Sequence, residues 1–221
     1  ALPFDTGLKL DVSFTGSLQA IQEFAAARVD VAGFHVPIEG CETLKLKPYL
    51  QWLRARRDRL IQFVDRDQGL ILPHGNPGKV RKFRDIAIKK LRFVNRQRGS
   101  GTRLLIDQMI ADGGLDPTTI DGYQTEEFTH AAVAATVASG GADVGLGLRA
   151  AAAEYQLAFV PLVRERYFFA VRAKHLESPS VARLIDVLKS PALSKFVRHL
   201  AGYDVRAAGS VIGLDALGAP I

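Results

Sequence analysis

The stretch Phe93-Val-Asn-Arg-Gln-Arg-Gly-Ser-Gly-Thr-Arg-Leu-Leu-Ile-Asp107 decides how the chain is read. Leu91-Arg-Phe-Val94 reads as a strand, and Leu104, Leu105, Gln108 and Met109 give an amphipathic helix that stops at Gly113-Gly114. Between them Gly99-Ser-Gly-Thr102 forms a strand-to-helix junction. Glycine lets backbone N–H groups approach a ligand, and a helix N-terminus carries partial positive charge. Ser100 and Thr102 add hydroxyl donors, and Arg96, Arg98 and Arg103 add positive potential. These residues suit an anion cradle, but taken alone they favour an N-capped helix after a tight turn. The GxxxxGK[ST] spacing of a Walker loop and the GxGxxG of a dinucleotide fold are both absent.

Working outward, the chain alternates strands and helices. Leu8-Lys-Leu-Asp-Val-Ser-Phe14 has strand periodicity. Ser17 is placed to cap a helix carrying Leu18, Ile21, Phe24 and Ala25, and Val29–Phe34 reads as the next strand. This order predicts a βαβ crossover and a parallel sheet. Tyr49–Arg57 and Phe83–Ile88 read as short helices. Leu60–Val64 and Leu70–Leu72 read as strands interrupted by Asp65-Arg-Asp-Gln-Gly69. Beyond the cradle, Thr125–His130 leads into a helix over Ala131–Ser139, and Ala142–Gly147 is a glycine-containing strand. Phe159–Leu162 is extended, Tyr167–Val171 is a buried strand, and Pro179 and Pro191 open the last two helices. The expectation is an α/β protein of two lobes. Residues 1–78 with 161–221 form lobe one and 79–160 form lobe two, with crossing segments near Gln68 and Leu162 and a cleft between the lobes.

With 221 residues, 48% apolar and 24% charged, the composition is that of a folded globular chain. A single cysteine, Cys41, excludes a disulfide framework and multi-cysteine metal sites, and reads as an inert small residue. No apolar run reaches the ~20 residues of a membrane span, so no membrane partner is expected. The net charge of +6 is unevenly placed: Lys45–Arg103 holds 17 basic and 4 acidic residues. Such a block attracts small anions or nucleic acid, or is simply a solvated surface. The interleaved aromatics of RNA-binding modules are missing.

Further junctions are candidates. Glu126, Glu127, Thr129 and His130 start the helix after the cradle helix. Thr129 suits an N-cap, the two glutamates suit a helix N-terminus, and His130 suits either an anion donor or a satisfied histidine. Glu126 with His130 is the one acid–base pair that an enzyme could use here. Ser100 lacks a GxSxG elbow, and no third group completes a triad with His130. No catalytic residue is assigned and no enzyme is expected. His35 and His74 lack partners at ligand spacing, so no metal and no cofactor are expected.

The 93–107 stretch resembles the periplasmic-binding-protein-like (type II) substrate-binding domain that follows a helix-turn-helix in bacterial regulators. That domain is also fused to molybdopterin-biosynthesis proteins. Arg66-Asp-Gln-Gly-Leu70, Gly75-Asn-Pro77, Gly122-Tyr123, Glu126–Ala135, Ala142–Gly147, Phe159–Leu162, Glu165-Arg-Tyr167 and Gly202-Tyr-Asp204 extend the likeness over about Lys9 to Asp204. It implies two α/β lobes, a hinge and a ligand held between them, with closure shifting the population when ligand binds. Relatives that hold molybdate, tungstate or similar oxyanions use helix N-termini and hydroxyls. By that resemblance Ser17 is a hydroxyl ligand, Ser100, Gly101 and Thr102 form the second-lobe cradle, and Tyr167 is a hinge tyrosine reaching the ligand. The family pattern opens with a strand, a Gly-Ser-His-Asp-like turn and a helix. Here the chain starts at what reads as the second strand.

The resulting expectation is a sensing or solute-binding domain for a small oxyanion, with ligand groups Ser17, Arg96, Gly99, Ser100, Gly101, Thr102, Glu126, Thr129, His130 and Tyr167. An organic or pterin-type metabolite, or an enzyme on the same fold, are the alternatives. DNA would be reached only through a separate helix-turn-helix domain, a homodimer is compatible, and the location is cytoplasmic, or periplasmic if a leader is removed.

Overall fold

The computed structural model describes residues 10–39 and 46–217. The helices and strands, in chain order, are α1 (Ser17–Ala25), β1 (Val31–Glu39), β2 (Asp58–Leu72), α2 (Asp85–Ile88), β3 (Phe93–Arg96) and α3 (Gly101–Asp112). Next come β4 (Glu126–Glu127), α4 (His130–Ala138), β5 (Val144–Leu148), α5 (Arg149–Glu154) and β6 (Ala158–Arg172). The last are α6 (Pro179–Lys189), α7 (Pro191–Val197), β7 (Tyr203–Asp204) and β8 (Val211–Ile212). Cys41 lies outside the described residues.

The chain forms two compact units. Unit 1 takes Ala1–Val36, Lys45–Asp65 and Arg166–Ile221; unit 2 takes Pro37–Leu44 and Arg66–Glu165. The division at 65/66 and 165/166 differs from the expected 78/79 and 160/161. Leu70 and Leu72 pack with Phe83, Phe93, Leu105 and Ile106, which draws the end of β2 into the second unit's core.

Two segments read as interrupted are continuous strands of fifteen residues each, β2 and β6. The charged stretch 65–67 stays extended because 164–166 opposes it with the complementary pattern. Asp65 pairs with Arg166, Arg66 with Glu165, and Asp67 with Arg164 at 2.8 Å. Opposite charges on facing strand positions stabilise the ladder in place of apolar contacts. Apolar periodicity alone cannot show such a segment as strand.

In unit 1, β6 lies between β1 and β2, and β7 and β8 pair with β2. Ile21 and Phe24 of α1 are fully buried against Phe34, Tyr49, Leu60 and Phe168. A second cluster joins Ile61 and Val171 to Val181 and Leu188 of α6 and Leu193 and Val197 of α7. The alternating Leu8–Phe14 stretch is not a strand where it is described. Residues 10–16 carry no regular structure, and Leu10, Val12 and Phe14 are 64%, 57% and 96% exposed. The alternation is present, but this segment has no pairing strand among the described residues. Tyr49–Arg57 likewise forms only a 3-10 turn at Lys47–Tyr49 followed by turns.

Unit 1 is pinned by Asp58, which is fully buried. Its carboxylate accepts from Arg172 at 2.6 Å and from the Arg54 N–H at 2.8 Å, while Arg172 also lies over the Phe24 ring. Asp58→Ala leaves that guanidinium buried without its partner, so it lowers unfolding free energy by about 3–5 kcal/mol. Denaturant melts of the two proteins measure the difference.

In unit 2 the sheet order is β6-β2-β5-β3-β4. It is mixed, which corrects the parallel expectation. β4, β3 and β5 run parallel, and β2 runs antiparallel to β5, with Gln68 opposite Leu148 and Gly69 opposite Gly147. α3 covers one face through Leu105, Ile106 and Ile110; α4 covers the other through Val133, Ala134 and Val137. Gly145 makes the second contact close, because a Cβ there would stand 2.4 Å from Val133 Cγ1.

Candidate functional site

The carboxyl ends of β3, β4 and β5 lie on one edge of unit 2, and the N-termini of α3 and α4 follow directly after β3 and β4. In open α/β sheets this edge is where ligands bind. Ser100 is the N-cap of α3, and its hydroxyl oxygen accepts from the Arg103 N–H at 3.1 Å. Its own hydroxyl hydrogen has no acceptor among the described residues and remains a donor. Gly99 adopts φ +81°, and a Cβ there would meet nothing within 4 Å. The chain thus turns sharply into α3 while leaving open space before it. Thr102 is 1% exposed. Ser100→Ala removes the cap and lowers stability by about 1 kcal/mol, read as a small fall in melting midpoint.

Arg96, at the end of β3, is 6% exposed. Its guanidinium donates to Gln97 Oε1 at 3.1 Å, to the Glu127 carbonyl at 3.2 Å and to the Phe128 carbonyl at 3.1 Å, and it meets His130 Nδ1 at 3.0 Å. Every one of these partners is neutral. Because an arginine can only donate, His130 Nδ1 accepts here and the imidazole proton sits on Nε2. Burial and the nearby Arg66 push the Arg96 pKa down to about 10, against an opposing pull from Glu165. The group stays charged at neutral pH. A buried cation whose direct hydrogen-bond partners are all dipoles is poised for an anion.

Arg66, Gln68 and Glu165 stand beside it. Glu165 accepts from both Arg66 and Gln68. That contact fixes the Gln68 amide with its nitrogen toward Glu165, and Gln68 Oε1 is buried with no donor. These three were not foreseen as site residues. They come together only because β2 and β6 pair, and their sequence neighbourhoods show no cradle or cap signal.

Other predicted groups are differently employed. Glu126 and His130 do not form a pair. Glu126 accepts from Arg103 at 2.7 Å and from the Arg98 N–H at 3.3 Å, while His130 meets Arg96. Arg103, 4% exposed, also binds Asp107 and lies over Tyr123, so it braces α3 against β4. Thr129 caps α4 by accepting from the Ala132 N–H at 3.0 Å. Gly101 opens α3, so its N–H is among the orphan donors of that terminus.

Ser17 and Tyr167 belong to unit 1. Gly16, not Ser17, is the N-cap of α1. Ser17 is the first helical residue, 4% exposed, with its hydroxyl 3.3 Å from His35 Nε2. The Tyr167 ring lies 5.5 Å from the His35 ring and packs on Phe63 and Phe169. A Cβ on Gly33 would sit 2.0 Å from the Tyr167 hydroxyl, so the glycine makes room for it. His35 joins this group by the β1 alternation that also places Gly33; as a lone histidine it carried no signal.

Residues 3–189 match the PBP-like family, described as the PBP superfamily domain. The protein YvgK of Bacillus subtilis (strain 168) is 30% identical over 201 residues, 90% of this chain and 64% of YvgK; the chain therefore spans less than two thirds of that relative. Among solved structures, the effector binding domain of QuiR in complex with shikimate aligns with a TM-score of 0.55 at 15% identity, over 84% of this chain and 80% of that one. The tungstate ABC transporter from Geobacter sulfurreducens aligns with a TM-score of 0.54 at 20% identity, over 83% and 82%.

Proposed function

Because this chain belongs to the PBP superfamily domain family, we propose that it is a ligand-sensing or solute-binding domain whose unit 2 takes a small anion beside Arg96, with oxyanions such as molybdate and tungstate as the leading ligands. The observation that carries this is the buried Arg96 guanidinium, which has four neutral partners and no carboxylate within ion-pair distance among the described residues. An oxyanion would bring several acceptor oxygens to donors that are already oriented: Arg96, the Ser100 hydroxyl, and the Gly101 and Thr102 N–H groups at the start of α3. Ordered donors and a desolvated charge select a small, fully charged acceptor. The likeness to the tungstate transporter supports the reading at the level of fold. Within unit 1, Ser17 and Tyr167 are separate proposed contacts. Ser17→Ala tests the first.

One observation favours a second reading. Gln68 Oε1 is a buried acceptor without a donor, and an organic acid carrying a hydroxyl, as shikimate does in the QuiR complex, would supply one. Calorimetry with molybdate, tungstate, sulfate, phosphate and shikimate separates the two. Saturable heat with an oxyanion, lost in Arg96→Met, supports the first. Heat with shikimate alone supports the second, and no heat with any of them overturns both.

A further inference from the structure

Two groups stand apart within the basic block. Arg66, Arg96 and Arg103 are largely buried at the carboxyl edge of β3. A second set precedes β3: Lys79, Arg81, Lys82, Arg84, Lys89, Lys90 and Arg92, all exposed. This set belongs to the opposite edge of the sheet. β2 runs antiparallel to β5, with Ile71 opposite Gly145, so its end brings the chain to the start of β5. Arg92 likewise sits at the start of β5, where the Asp143 and Val144 N–H groups donate to its carbonyl. These side chains therefore cannot serve the Arg96 site, and their charge needs another explanation.

Only Arg92 in this set is paired, to Asp143 at 2.7 Å. The other six cations have no side-chain hydrogen bond or ion pair with any described residue. Asp85, the one acid among them in sequence, accepts from the Arg81 and Lys82 N–H groups. Of the exposed acids on the neighbouring end of α3, Asp112 accepts from Gln108 and Asp116 from the Thr118 N–H, while Asp121 is felt by Arg92. Lys82 and Lys89 also act on the Asp85 carboxylate through space, but one acid faces six exposed cations, so the patch keeps a strong positive excess.

We infer that this edge of unit 2, Lys79 to Lys90, is a docking surface for the phosphate backbone of a nucleic-acid duplex. The chemistry of the patch selects that partner. Protein interfaces have an apolar core and are depleted in lysine, whereas this patch is rich in lysine and offers one exposed apolar side chain, Ile88 at 64%. A membrane surface needs more anchoring than one isoleucine supplies beside the charge. Phosphate contacts need only long cations, and carry no base readout. The inference is independent of the ligand bound at Arg96.

The test is fluorescence anisotropy of the chain with a labelled 20-base-pair DNA of random sequence across 50–200 mM KCl. Binding is expected to weaken about a thousandfold over that range if all six cations engage phosphate. It is expected to vanish in the fourfold variant Arg81→Glu, Lys82→Glu, Lys89→Glu, Lys90→Glu, and to persist in Arg56→Glu, an exposed cation of unit 1. Should the fourfold variant fail to fold, the double variant Lys89→Gln, Lys90→Gln must reduce the salt slope by about two. Three results would overturn the inference: no retention at 50 mM, retention indifferent to these substitutions, or binding to phosphatidylserine vesicles without binding to the duplex.

Discussion

Arg96→Met weakens anion binding by roughly 100-fold or more, while the melting midpoint of the ligand-free protein moves by only a few degrees. A charge-assisted hydrogen bond contributes about 1.5–3 kcal/mol, and a buried guanidinium can offer two to one oxyanion. The ligand-free effect is small because two costs oppose. The substitution takes from the Phe128 carbonyl the donor it has in Arg96, while the Glu127 carbonyl keeps the Gln97 N–H. It also removes a charge whose desolvation already pulls its pKa down to about 10. Calorimetry with the leading oxyanion, alongside a thermal melt, measures both quantities. Unchanged affinity with a collapsed melting midpoint would make Arg96 a purely structural residue.

Gly122→Ala strongly destabilises unit 2. Gly122 has φ +80°, and a Cβ there would stand 2.0 Å from the Phe93 carbonyl oxygen. The obstacle is backbone of β3, which cannot rotate away as a side chain can. The same turn leads to Thr125, whose carbonyl accepts from the Asn95 N–H, and on to β4. A shift here moves the strand that carries Arg96. The expected cost exceeds about 4 kcal/mol, the range reserved for steric failure in a core. Gly140→Ala is the control. It shares the left-handed conformation at φ +77° but would meet nothing within 4 Å, so it loses only about 1–2 kcal/mol. Denaturant unfolding of the two variants gives the comparison, and equal losses would mean that backbone conformation alone decides the cost.

The start of α3 was legible in the sequence because its signals are local. A glycine that must turn, a serine that caps and a threonine in the first turn all lie within four residues, and the structure places Ser100 as the cap of α3. Thr129, Pro179 and Pro191 are legible for the same reason, each standing at or beside a helix start. The long strands β2 and β6 were not, since their central residues are charged. What keeps them extended is the partner strand about 100 residues away, through Asp65–Arg166 and Arg66–Glu165. The described part of Leu8–Phe14, residues 10–14, differs in the opposite sense: its alternation is local, but a strand needs a neighbour. The proposed acid–base pair failed because each member meets an arginine from β3 or α3 instead. Gln68 and Glu165 show the limit most clearly: both lie in stretches that carry the family likeness, but that a buried amide is fixed by a carboxylate 97 positions away is written in neither local sequence.

The most direct test of an anion site in unit 2 is the tungsten anomalous signal from a crystal of this chain soaked in tungstate. The account predicts a peak within hydrogen-bonding reach of the Arg96 guanidinium and the Ser100 hydroxyl, and its loss in Arg96→Met. A saturating soak that leaves this edge of β3 empty, or that places tungsten only among the exposed cations of 79–92, would contradict it.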